Sequence, residues 1–129
     1  MRQRILSDCI KIARQQNEKH PQYGYFHHWT FIVQNNKIIG IGKNRLGNPI
    51  YYNFGFTNRS KIHSELDAYK KTKGIIDKNT PFYCVNIRLN RIGDLRLSKP
   101  CDCCQRFLIF AGCSGVWHST SENSLIKLI

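Results

Sequence analysis

Three side chains in two short segments have the types and spacing of a metal site. His63 lies in the first segment, and Cys101 and Cys104 lie in the second, directly after a proline. An imidazole and two thiolates are three of the four tetrahedral ligands that Zn²⁺ takes in proteins, which leaves the fourth position for water. Because bound zinc lowers the pKa of that water towards about 7, the sequence predicts a catalytic zinc site.

Glu65 stands two positions after the histidine, where it can reach the activated water without ligating the metal. A carboxylate in that place suits the role of proton shuttle. If a helix follows the proline, Cys101 and Cys104 lie one turn apart on one face. Cys103 then points elsewhere and is excluded as a ligand. The partial positive charge at the start of such a helix favours the thiolate form that binds metal.

The pattern H-x-E followed by P-C-x-x-C resembles the signature of zinc-dependent nucleobase deaminases. The chain is similar in this respect to the cytidine deaminase superfamily, which includes free cytidine and deoxycytidylate deaminases, tRNA adenosine deaminases and the APOBEC/AID polynucleotide deaminases. Either half alone is weak evidence, since C-x-x-C also occurs in redox sites. The resemblance implies hydrolytic deamination with zinc as cofactor and Glu65 as the catalytic residue. It also implies a three-layer α/β fold, a mixed five-stranded sheet with helices on both faces.

The resemblance extends to two substrate contacts. Asn44 follows the second predicted strand, at the position that presents an asparagine to the substrate sugar in this family. An amide can both donate to and accept from ribose hydroxyls, although Asn44 could instead only turn the chain. The backbone at Ser64 is expected to lie against the base, and the side chain of Ser64 has no required role.

Hydrophobic periodicity predicts three helices and five strands in one domain, residues 1–129. The helices are expected at 4–16, 62–72 and 101–111, and the strands at 29–34, 37–43, 82–89, 114–119 and 125–129. Asn35 and Asn36 are expected to join the first two strands in a tight hairpin. The short return before the last strand predicts that the last two strands run antiparallel, as in the free cytidine deaminases. On that analogy, cytosine is the expected base.

The chain is strongly basic, with 20 Lys and Arg against 8 Asp and Glu and a formal net charge of +12. Such a charge favours phosphorylated substrates or polyanions, although compositional drift would also raise the lysine content. No segment reaches the roughly 20 apolar residues of a membrane helix, and no secretory signal is recognisable. We therefore expect a cytoplasmic (intracellular) protein with reduced cysteines and no membrane partner.

The segment before His63 concentrates aromatic residues where a polar connection would be ordinary. Tyr51, Tyr52 and Arg59 could stack on the bases of a single strand and contact its phosphates. The aromatic rings could equally fold the segment against the domain or form a subunit interface.

Charge and aromatic residues together favour single-stranded nucleic acid as the substrate, with cytosine converted to uracil. A free cytidine or deoxycytidylate deaminase is the first alternative, favoured by the short chain and often completed by a homo-oligomer. A tRNA adenosine deaminase is the second. The third is a non-catalytic, zinc-stabilised nucleic-acid-binding module, which the presence of Glu65 does not support.

Overall fold

Three helices and eight strands are described in the structure, a computed structural model that covers residues 1–20, 27–47, 54–55 and 61–128. The helices are α1 (Gln3–Lys19), α2 (Ser64–Thr72) and α3 (Asp102–Phe110). The strands are β1 (His27–Gln34), β2 (Lys37–Lys43), β3 (Arg45–Leu46), β4 (Lys61–Ile62), β5 (Phe82–Leu89), β6 (Leu95–Arg96), β7 (Gly115–Ser119) and β8 (Leu125–Lys127). Within these residues, no helix has the length and apolar character needed to cross a membrane.

The main sheet is mixed and has the strand order β2-β1-β5-β7-β8. β5 lies at its centre, antiparallel to β1 and parallel to β7. β7 and β8 run antiparallel, as predicted. β6 adds a sixth, two-residue strand at the end of β5, and β3 pairs with β4 in a separate small sheet. Two-residue strands are too short to show an alternating pattern, so the sequence does not predict β3, β4 or β6.

Helices cover both faces of the sheet, which confirms the three-layer architecture. The apolar stripe of α1 packs on one face, where Leu6 and Cys9 join a buried cluster with Phe31 and Val85. α2 and α3 pack on the other face in a second cluster that includes Phe107. β5 is therefore covered on both sides, as its nearly continuous apolar sequence predicts.

Asparagines lie in the turn between β1 and β2 and near the end of α1. Asn35 and Asn36 have φ angles of 55° and 58°, the left-handed conformation that a two-residue hairpin turn needs at both central positions. The predicted hairpin is thus confirmed. α1 continues to Lys19, beyond its predicted end at residue 16. Near this end Asn17 is buried, and its Nδ2 donates to the carbonyl of Asn90 at 3.0 Å.

α2 packs directly against the backbone of β2 because β2 has glycine where it meets the helix. A Cβ atom on Gly42 would overlap with the backbone nitrogen of Ala68, and one on Gly40 would overlap with the Thr72 methyl. This close approach fixes the height of α2 above the sheet, and with it the position of the His63-Ser64-Glu65 segment at the start of the helix.

Gly42→Ala should lower the free energy of unfolding by about 1 to 3 kcal/mol, because α2 must move away from β2 to make room for the methyl group. Thermal or chemical unfolding measures the change. Gly74→Ala is the matched control, since an added Cβ there meets nothing within 4 Å. Similar losses in the two variants would show that the close approach of α2 to β2 is not the cause.

Candidate metal centre and catalytic pocket

Two helix N-termini bring the predicted metal ligands together. His63 precedes α2 and Cys101 precedes α3, each as an N-cap residue with extended backbone. This corrects the prediction that both lie inside the first helical turn. The sulfur of Cys101 accepts a hydrogen bond from the Cys104 N–H at 3.5 Å, a capping contact that requires non-helical backbone at the cap. Cys104 itself lies in the first turn of α3.

The three ligand atoms are close enough to share one metal ion. Nδ1 of His63 lies 3.7 Å from the sulfur of Cys101 and 3.4 Å from that of Cys104. All three atoms lie within 4.8 Å of one another. Tetrahedral zinc with ordinary Zn–N and Zn–S bonds separates such atoms by about 3.6 Å, so the donor set fits zinc. The sulfur of Cys103 instead accepts a hydrogen bond from Arg106.

The two thiols have pKa values shifted in opposite directions. Hydrogen bonds from the Cys104 thiol and from His63 lower the pKa of Cys101 to about 3, although partial burial opposes the shift. The pKa of Cys104 is raised, because its thiol donates to Cys101 and because burial disfavours its thiolate. The hydrogen bond to Cys101 also raises the pKa of His63. Because a metal binds cysteine as the thiolate, binding by both sulfurs would release the Cys104 proton.

The carboxylate of Glu65 is buried, with 6% of the residue exposed. Its Oε1 accepts a hydrogen bond from Ser64 Oγ at 3.0 Å, and its Oε2 accepts one from Asn86 Nδ2 at 3.1 Å. A buried charge needs such partners. Each carboxylate oxygen can accept a further hydrogen bond, so Glu65 retains the capacity to take a proton from water.

A cavity of about 180 Å³ adjoins these side chains. The residues that line it come from the sheet, from the starts of the two helices and from the segment before Cys101: His28, Asn44, Lys61, His63, Ser64, Glu65, Asn86, Ser98, Lys99 and Cys101. Burial, followed by the positive charges of Arg88, Lys61 and His63, lowers the pKa of His28 to about 4. At neutral pH the imidazole of His28 is therefore uncharged. Lys61 and Lys99, which also line the cavity, are exposed.

Ser98 and Ser119 hold the segment that leads to Cys101. The N–H of Ser98 donates to the carbonyl of Ser119, and the N–H of Ser119 donates to Ser98 Oγ. The hydroxyl of Ser98 also donates to the carbonyl of Asn86 at 2.8 Å. These bonds fix the chain before Cys101 against both β5 and β7.

A buried carboxylate, Asp67, holds the segment that carries Asn44. It accepts hydrogen bonds from the Lys43 N–H and from Arg45 Nε, and it pairs with Lys71 at 2.9 Å. Burial alone would raise the pKa of Asp67, but the bonds from Arg45, Lys71 and Lys43 outweigh it and lower the pKa. The residues on either side of Asn44 are thereby tied to α2.

The predicted substrate contacts are only partly described. Asn44 is buried in the cavity wall, where its Oδ1 accepts a hydrogen bond from the His28 N–H at 2.8 Å. Its contact with a substrate sugar stays a prediction. Tyr51, Tyr52 and Arg59 lie outside the described residues.

Phe54 belongs to the same aromatic segment and is described. Its ring packs against Phe107 and Phe110, with centroids 5.6 and 5.3 Å away, and its carbonyl accepts a hydrogen bond from Arg106. At this position the aromatic ring folds the segment against the domain, which was one of the predicted alternatives.

Five residues of the described cavity wall are not predicted as site residues from the sequence: His28, Lys61, Asn86, Ser98 and Lys99. Asn86 has a signal that could have identified it, because it interrupts the apolar run of β5. A buried amide in a central strand is unusual unless its hydrogen bonds are satisfied. The two lysines adjoin the metal-ligand segments in sequence, but only the fold shows that both line one cavity.

Comparison with solved structures shows the fold. The chain is similar to the apo form of the dCMP deaminase from the cyanophage S-TIM5, with a TM-score of 0.58 and 18% sequence identity, covering 92% of this chain and 84% of that one. For the same enzyme in complex with dCMP and dUMP, the TM-score is 0.60 and the identity 19%, covering 92% and 82%. No protein-family model and no curated protein shows a significant match to the chain.

These likenesses define the architecture as the cytidine deaminase-like α/β fold, the class expected from H-x-E and P-C-x-x-C. Within that fold, the His/Cys/Cys group lies where the N-terminal ends of α2 and α3 meet.

Cys104→Ser should reduce bound zinc well below one ion per chain, because it replaces a buried sulfur ligand by a hydroxyl. Cys103→Ser should keep the wild-type stoichiometry, since its sulfur faces Arg106 instead. Elemental analysis of the dialysed proteins measures both. Equal zinc loss in the two variants would contradict the ligand assignment.

Proposed function

We propose that the chain is a zinc-dependent hydrolase that deaminates cytosine to uracil in a phosphate-bearing substrate. The observation that carries this proposal is the buried Glu65 carboxylate, which lines the same cavity as His63 and Cys101. A structural zinc is usually closed by four protein ligands, whereas three ligands beside a carboxylate suit catalysis. A non-catalytic binding module would have no use for this buried charge.

Different residues of the cavity would have different roles in the reaction. Zinc held by His63, Cys101 and Cys104 would supply activated water at neutral pH. Glu65 would accept a proton from the attacking water, pass it to ring nitrogen N3 and then assist the departing amine. The C4–O bond forms before the C4–N bond breaks, and ammonia leaves. The backbone at Ser64 and the neutral His28 would border the base.

A free cytidine or deoxycytidine monophosphate is the substrate class that the described cavity supports best. Glu65 lies in the wall of this cavity, and the exposed Lys61 and Lys99 of the same wall could bind an anionic phosphate. The similar cyanophage enzyme is known in complex with dCMP and dUMP, which supports a ligand of this class. The net charge of +12 would also attract such a substrate.

Single-stranded nucleic acid is the second candidate substrate, and the large positive charge is the observation that favours it. Tyr51, Tyr52 and Arg59 would then stack on flanking bases or contact phosphates. If the substrate is instead a monophosphate, a second copy of the chain in a homo-oligomer would complete the pocket.

The zinc-loaded protein should convert deoxycytidylate to deoxyuridylate with release of ammonia, and should act more slowly on deoxycytidine and on adenine nucleotides. Mass spectrometry of the products and an ammonia assay measure this. Glu65→Ala should keep zinc and fold but lower kcat by about 10² to 10⁴, the usual contribution of a general acid–base group. Absence of product from every cytosine compound would overturn the proposal, and near-normal turnover by Glu65→Ala would remove Glu65 from the mechanism.

A short cytosine-containing oligonucleotide separates the two substrate classes. If the strand is the true substrate, its turnover should exceed that of deoxycytidylate, and its affinity should fall with salt at a log-log slope of about −0.7 for each neutralised phosphate. Arg59→Ala, Tyr51→Ala and Tyr52→Ala should then weaken oligonucleotide binding at unchanged zinc content. We expect the monophosphate to be preferred, and a clear preference for the oligonucleotide would reverse the assignment of substrate.

A further inference from the structure

Behind Glu65 lies a group of polar side chains from α2, β1 and β5, here called the polar ring: Thr30, Ser64, Glu65 and Asn86. Asn86 donates to Glu65 through Nδ2, and its Oδ1 accepts a hydrogen bond from Thr30 Oγ1 at 2.8 Å. Ser64 donates to the other oxygen of Glu65, and its Oγ lies 2.8 Å from the Thr30 oxygen. Because each hydroxyl has one hydrogen and both are already donated, this last contact is not a hydrogen bond. All four side chains are buried.

The ring fixes which end of the Asn86 amide faces the carboxylate. Thr30 lies directly opposite Asn86 in the register of β1 and β5, so its hydroxyl is held beside the amide by the sheet itself. Because Thr30 donates to Oδ1, the NH₂ group is turned to Glu65, and its other hydrogen is directed at the carbonyl of Ser98 at 3.4 Å. A reversed amide would place an acceptor oxygen against a carboxylate oxygen and lose these bonds.

We propose that Asn86 is a positioning residue for the Glu65 carboxylate and that Thr30 acts through Asn86 by fixing its amide. This inference rests on the proposed function, in which Glu65 moves the proton. A glutamate side chain has three rotatable bonds, and its terminal torsion is broad. Two hydrogen bonds from opposite sides, by Ser64 and by Asn86, restrict that torsion and leave the remaining lone pairs for the water and the base.

Such restriction matters because proton transfer requires the carboxylate to be within hydrogen-bond reach of the transferred proton. A catalytic group that is displaced by about 1 Å can lose about two orders of magnitude in rate. Asn86 also lines the cavity, where it could touch a substrate directly, but Thr30 is fully buried and is not part of the described cavity wall. Thr30 is therefore the cleaner place to test the ring.

Thr30→Val removes the hydroxyl and keeps the shape. With deoxycytidylate as substrate and zinc-loaded protein, it should lower kcat by up to about 100-fold, the loss that a displacement of about 1 Å can cause. KM, zinc content and dUMP binding by calorimetry should stay close to the wild-type values. Thr30→Ser should restore most of kcat, since it returns the hydroxyl.

Thr72→Val is the matched control. Thr72 is also a buried threonine, but its hydroxyl donates to the carbonyl of Ala68 in the later part of α2. The control therefore removes a buried hydroxyl without touching the ring, and kcat should be unchanged. Asn86→Asp should lower kcat more than Thr30→Val does, because it replaces the donor by a second carboxylate facing Glu65.

A readout independent of turnover follows the Asn86 side-chain amide by ¹⁵N NMR, with its signal assigned from its loss in Asn86→Asp. The signal should shift in Thr30→Val and in Glu65→Ala, and stay unchanged in Thr72→Val. If wild-type protein deaminates nothing, the proposed function fails, while this readout still tests whether Thr30 and Glu65 contact the Asn86 amide. An unshifted signal in Thr30→Val overturns the inference, as does wild-type kcat in that variant or a kcat loss matched by zinc loss.

Discussion

The meeting of two helix N-termini is the constraint on which the rest of the structure depends. His63 and Cys101 are N-cap residues, and their contact forces the starts of α2 and α3 to within a few ångströms of each other. The N-termini of both helices carry partial positive charge at this point. That charge favours the thiolate form of the cysteines, which is the form that binds a metal. Each helix must then be held by the sheet, α2 through the close approach at Gly42 and α3 through the Ser98 segment.

Features of the molecule that are local in sequence could be predicted. The long helix α1 and the strands β1, β2 and β5 have periodic apolar residues over enough positions to be recognised. The hairpin at Asn35 and Asn36 follows from the turn chemistry of two residues. The close group of His63, Cys101 and Cys104 could be predicted for the same reason, because the spacing within H-x-E and P-C-x-x-C is local in sequence.

Features that depend on tertiary pairing could not be predicted. β3, β4 and β6 form because another strand pairs with each of them. Two residues are too few to show the alternation of apolar and polar residues that predicts a strand. The pairing of Thr30 with Asn86 requires the register of β1 on β5, which nothing in either segment specifies alone. The sequence also did not predict that His63 lies just outside its helix, because a cap is defined by its backbone conformation and not by residue type.

The face of the sheet beneath α2 and α3 changes character along its strands. Ile32 and Cys84 belong to the apolar cluster of that face, whereas Thr30 and Asn86, two residues away on the same strands, lie in the polar ring. Side chains two apart on a strand share a face, so one surface both packs the helices and supports the carboxylate. An unpaired carboxylate at the boundary would be expensive to bury. The ring makes its burial possible by giving both oxygens of Glu65 a donor, and the same donors restrict its motion, so stability and positioning have one structural cause.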